Sequence, residues 1–196
     1  MVRGDELSDA DERSIARYCV VLAFLEQTFR ALVKTPILRG LEDETILEID
    51  DLLALPTPEA VRDICEMSRA FRNSQQELLQ RTPIVLNPTF AGSADVGGAD
   101  GDLIAGHSLI EFKASKTELI TSRDIFQLLG YACLDYANAY GIQRFGIYLA
   151  WRATLCEWSA SDLVSELSGG SCDFGRFRQE VTEFIRSDGH RAQSSS

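Results

Sequence analysis

Asp102, Glu111 and Lys113 are spaced so that a single hairpin could bring two carboxylates and an ammonium together. Along 108–115 side chains alternate across a strand, so Leu109, Glu111, Lys113 and Ser115 share one face and Ile110, Phe112 and Ala114 the other. Ile110 and Phe112 are apolar enough to hold the strand in a core, where charges are costly unless they are paired or bind an ion. Gly106 and His107 turn the chain between a strand at 102–105 and this one, folding Asp102 back toward Glu111. Mg²⁺ takes oxygen ligands and needs only one or two carboxylates beside water and phosphate. Asp102, Glu111 and the main-chain carbonyl of Phe112 are therefore the expected ligands of Mg²⁺ or Mn²⁺. A cation held there activates water and offsets charge on phosphate, the requirements of phosphodiester hydrolysis. Lys113 either orients or deprotonates the water or, still protonated, stabilises the developing charge.

Several elements must position these groups. The spacing of Thr121 and Asp124 predicts a capping box that opens a helix over 122–140, with Gly141 as its stop. Asp124, Gln127 and Tyr131 fall on one face of that helix, opposite Ile125, Leu129, Ala132 and Tyr136. If the polar row looks onto the hairpin, Gln127 joins the catalytic set, Tyr131 contacts substrate, and Lys116 at the edge meets phosphate. Upstream, Ile15, Tyr18, Leu22, Leu25, Phe29 and Leu32 recur as the buried stripe of a helix over 9–34, ended by Pro36. Helices are also expected at 45–55 and 57–81, then a short strand at 84–86 and a glycine-rich loop at 92–101. Strands at 145–151 and 153–158, joined tightly at Arg152, precede helices at 160–167 and 174–186.

Asp102, eight residues, Glu111-Phe112-Lys113 and the following Gln127-Leu128-Leu129-Gly130-Tyr131 resemble the PD-(D/E)XK nuclease superfamily. The Gln-x-x-x-Tyr element is similar to that of its RecB-like exonuclease branch. The resemblance covers roughly residues 84–158. It implies a restriction-endonuclease-like α/β core, a small mixed sheet flanked by helices, and Mg²⁺-dependent cleavage of DNA more often than RNA, in phage defence, restriction or repair. It also implies a helix-borne first catalytic acid, for which Glu66 and Glu77 are candidates. Gly101 stands where the family name has proline. The expected organisation is a helical extension over 1–56 packed on the core, a nuclease-like core over 57–186 and a disordered tail over 187–196.

Composition limits this reading. The net charge of −11 is unusual for a nucleic-acid binder, but the acidity is concentrated upstream. Residues 1–66 hold fifteen acidic and seven basic side chains, whereas 111–155 hold four and five. The acidic helices suggest a protein partner or a homo-oligomer, and with it an alternative function as a binding or assembly module. Five scattered cysteines without metal-ligand spacing read mostly as reduced core thiols. With no long apolar run and no leader-like start, the expected location is the cytoplasm, without a membrane partner. His107 and His190 have no triad partners, and the 97–101 glycines lack a phosphate-loop pattern.

Overall fold

Five runs rich in β-branched and aromatic residues pair into one mixed sheet in the computed structural model, which describes residues 7–31, 35–45, 48–116 and 119–193. Two compact units are present, Met1–Ala70 and Phe71–Ser196.

The first unit is helical: α1 (Asp9–Ala31), α2 (Pro36–Glu42), α3 (Ile49–Ala54) and most of α4 (Pro58–Ser74). Two expectations change here. Pro36 opens a helix, because Thr35 caps its N-terminus and proline at the first position gives up no hydrogen bond. The expected stripe of α1 is not buried either: Ile15, Tyr18 and Leu22 are exposed, while Ala16 and Val21 face inward. The expected stripe positions Phe29 and Leu32 lie beyond the described side chains.

The second unit contains α5 (Gln76–Leu79), β1 (Ile84–Leu86), β2 (Leu103–Ala105), β3 (Ser108–Lys113), α6 (Ser122–Leu134), β4 (Arg144–Leu149), β5 (Thr154–Ser159), α7 (Ala160–Leu167) and α8 (Phe174–Gln193). The expected helix over 57–81 is thus split at Gln75 into α4 and α5. The sheet order is β1-β2-β3-β4-β5, with β3 and β4 parallel and all other neighbours antiparallel. Parallel neighbours need a crossover, and α6 supplies it between β3 and β4. On one face Ile104, Leu109, Phe145 and Ile147 pack with Leu128, Leu129 and Ala132 of α6 and with Val164 of α7. On the other, Leu103, Ile110 and Tyr148 pack with Leu78, Phe71 and Phe112. Phe71, Phe112 and Tyr148 form a triangle of rings with centroids 4.9–5.3 Å apart.

Sequence periodicity carries α6 to residue 140, yet it ends at Leu134. Asp135, 2% exposed, turns its carboxylate onto the N–H groups of Ala139 (2.8 Å) and Tyr140 (3.1 Å), replacing helical bonds with side-chain bonds. At the other end of the chain, α8 continues past Arg186 to Gln193. Cys65 and Cys133 are buried, Cys156 and Cys172 are partly buried, and Cys19 is exposed; all five are free thiols. Among the described residues no helix is long and apolar enough to cross a membrane.

The end of the sheet where β3 begins is held by an ionic cluster. Glu157 accepts two bonds from Arg81 (2.6 and 3.1 Å), one from Ser108 (2.6 Å) and one from Arg144 (3.2 Å). Burial alone would raise the Glu157 carboxyl, but these donors outweigh it and bring its pKa down to about 2. A depressed carboxyl contributes stability above its ordinary value of 4.5, which is lost as pH falls toward about 2. Arg81→Ala should therefore destabilise the protein by about 2–4 kcal/mol in urea unfolding at pH 7, less than a fully buried pair because the Arg81 side chain is 32% exposed. The deficit should shrink as pH is lowered through that window.

Candidate active site

β3 places Glu111 and Lys113 on the face covered by α6, two residues apart and pointing the same way. Glu111 is 7% exposed. β2 stops pairing at Leu103, opposite Ile110, and the Asp102 side chain continues the ladder by accepting the Phe112 N–H at 2.7 Å. The N–H and C=O of one strand residue leave on the same edge, so the Phe112 carbonyl lies on the Asp102 side. Gly101 precedes Asp102 for a local reason: its N–H donates to the Pro88 carbonyl (3.0 Å), and a side chain would press on Leu109, Pro88 and Phe90. Proline, the residue in the family name, would lose that bond and need that space.

α6 completes the cluster from above. Its capping box forms as the sequence predicts, with Asp124 accepting from the Thr121 N–H (2.8 Å) and hydroxyl (2.7 Å). The other Asp124 oxygen lies 3.3 Å from the Lys113 ammonium. Lys113 also donates to Glu111 Oε1 (3.2 Å) and to Gln127 Oε1 (3.1 Å). The Gln127 amide donates to Glu111 Oε1 (3.0 Å) and to the Tyr131 hydroxyl (2.7 Å), and the Tyr131 ring stacks on Phe90 at 5.5 Å. The polar row of α6 thus faces the hairpin and fixes Glu111 in one orientation.

Glu111 Oε1 is surrounded by donors, while Glu111 Oε2 is buried with no hydrogen-bond partner. A buried, unpartnered carboxylate oxygen is costly. Burial, and next the charge of Asp102, push the Glu111 carboxyl above its ordinary value; Lys113 and Gln127 offset this only in part. Burial would lower Lys113, but Glu111 and Asp124 outweigh it and raise its pKa. In this arrangement Lys113 is a charged donor. No group of three His, Cys, Asp or Glu side chains suited to a metal occurs among the described residues. The oxygens that could hold a cation at this site are those of Asp102, Glu111 and the Phe112 carbonyl, a donor set of the kind that suits Mg²⁺ or Mn²⁺ with water and phosphate.

Asp102, Glu111, Phe112, Lys113, Gln127 and Tyr131 come together; other candidates lie elsewhere. Glu77 sits on α5 beside a cleft of about 480 Å³ shared with Arg81 and Glu157, under the Ile110 face of the sheet. Glu66 belongs to the first unit and lines a separate cleft there. Lys116 lies over the Trp151 ring. Phe90 as the partner of Tyr131 left no signal in the sequence, whereas helical spacing set Asp124 on the Gln127 face without naming Lys113 as its partner.

No family model, no curated protein and no solved structure matches the chain.

The raised Glu111 carboxyl sets the sign of a stability test. Its contribution is fully present below about 4.5 and is lost as pH rises through the raised folded value. In EDTA at pH 7, Glu111→Gln should melt at a higher temperature than the wild type, and the gain should vanish near pH 4. A lower melting temperature at pH 7 would contradict the assigned cost of Glu111.

Proposed function

We propose that the chain is a metal-dependent nuclease that hydrolyses phosphodiester bonds of nucleic acid, DNA most of all. One observation carries the reading: a buried carboxylate oxygen of Glu111 without a partner, set beside a second carboxylate, Asp102. The intact set supports it: Glu111, Lys113 and Gln127 are joined by hydrogen bonds across β3 and α6, and Asp102 accepts from the Phe112 N–H between Glu111 and Lys113. So does the resemblance of these residues to the PD-(D/E)XK superfamily, whose settings of phage defence, restriction and repair are the biological contexts we infer.

Asp102, Glu111 and the Phe112 carbonyl would hold Mg²⁺ or Mn²⁺. When bound, the cation would make water a stronger nucleophile and offset charge on the phosphate. Glu111 is oriented for this by Gln127 and Lys113, and Asp102 by the Phe112 N–H. Lys113, charged and 26% exposed at its side chain, can donate to a phosphate oxygen as negative charge builds there. Water adds to phosphorus and gives a proton to solvent, the bond to the leaving oxygen breaks, and that oxygen takes up a proton from solvent to leave as an alcohol. Tyr131, whose hydroxyl accepts from the Gln127 amide, would contact the substrate from the same helix.

Purified protein incubated with single- and double-stranded DNA and RNA should cleave in Mg²⁺ or Mn²⁺ and not in EDTA. Asp102→Ala and Lys113→Ala should each lower the rate by at least about a hundredfold, the scale of losing one electrostatic stabiliser. Cleavage that persists in both variants, or none by the wild type under any condition, would refute the proposal. Gln127→Ala should keep measurable activity, because it positions Glu111 without replacing it.

A further inference from the structure

We propose that Trp151 and Lys116 form a place for one unpaired nucleotide beside the catalytic strand, the base stacking on the indole and its phosphate meeting the ammonium. This rests on the nuclease reading and gives it a substrate form, single-stranded nucleic acid.

Trp151 lies outside the strands, in the short 3-10 turn Ala150–Arg152 between β4 and β5. β4 ends at Leu149, paired with Lys113 at the end of β3. The Trp151 indole N–H donates to the Ala114 carbonyl at 2.7 Å, and Ala114 directly follows Lys113. The ring is thereby anchored one residue from a proposed catalytic side chain. Its only polar group is satisfied by that bond, yet the residue remains 40% exposed, so what it offers is aromatic surface. A tryptophan needed only to cover the sheet end would gain more by burial.

Lys116 adds the second half. Its ammonium lies 4.5 Å from the centre of the Trp151 ring, held by attraction to the π face. Lys116 is exposed, and among the described residues no carboxylate pairs with it. An aromatic ring with a cation over one face matches a nucleotide, whose flat base would stack on the indole surface left exposed and whose anionic phosphate would meet the ammonium. Bases in a duplex are stacked on their neighbours and present no free face, so the pair favours single strands. Because stacking accepts any base, little sequence preference is expected.

The chain has two tryptophans, so Trp158→Phe leaves Trp151 as the only indole emitter. In EDTA, an oligothymidylate should quench that emission, while a duplex of equal length and inorganic phosphate should not. With a labelled oligothymidylate, Trp151→Ala should bind about tenfold or more weakly, the weight of one base stack, and Trp151→Phe should retain most of the affinity. Lys116→Ala should reduce the slope of log affinity against log salt by about 0.7. Equal quenching by the duplex, or undiminished binding by Trp151→Ala, would overturn the inference. If Trp158→Phe is unfolded by circular dichroism, the labelled-oligonucleotide comparison decides alone. Stacking without cleavage in Mg²⁺ would refute the nuclease reading and leave this one standing; cleavage with Trp151→Ala unchanged in affinity would do the reverse.

Discussion

A carboxylate on a central strand, under a helix, is the constraint around which the second unit is organised. Glu111 cannot be hydrated there, so its charge must be met by fixed groups, and β3 and α6 are arranged to do so. Lys113 supplies opposite charge from the same strand face, and Gln127 supplies a neutral donor from the helix. Asp124 then shares the Lys113 ammonium, linking the first turn of α6 to the strand it covers. The same arrangement leaves Glu111 Oε2 without a partner. A fold selected for stability alone would have placed a leucine here, and the polar cluster would then have no reason to exist.

The parallel pairing of β3 with β4 makes this geometry possible. It forces the chain to cross over the sheet, and the crossover is α6, whose polar row lands on Glu111 and Lys113 while its apolar row joins the core. One helix thus turns both sets toward the sheet: Leu128, Leu129 and Ala132 enter the core, and beside them Asp124 and Gln127 reach Lys113. Phe90 extends the arrangement by stacking on Tyr131, so that the loop after β1 also bears on the donor network.

Much of this was legible in the sequence because it rests on local rules. Alternation along 108–113 assigned Glu111 and Lys113 to one face, the Gly106-His107 turn returned Asp102, and the Thr121–Asp124 spacing located the start of α6. The parts that were not legible depend on contacts distant in sequence or on competition between equivalent local choices. Helical periodicity continues through residue 140, and only the capture of two N–H groups by Asp135 stops α6 at Leu134. Trp151 reads as a strand residue by pattern but falls in the turn, where Ala153 takes a left-handed conformation. In α1 the apolar spacing is sound, yet Ile15, Tyr18 and Leu22 are exposed, because periodicity identifies a stripe without saying whether anything covers it.

The Glu157 cluster joins Arg81, Ser108 and Arg144 where β3 begins, and the proposed chemistry lies where β3 ends. At roughly 3.3 Å per residue Ser108 stands about 10 Å from Glu111 and about 17 Å from Lys113 along the strand. Groups that far apart with no shared partner have nearly independent energies. The sheet therefore divides its labour along its length: one end can be strengthened or weakened as an anchor while the other is altered as a reagent. Such a scaffold lets a lineage vary the Glu111 end of the sheet without first having to rebuild its foundation.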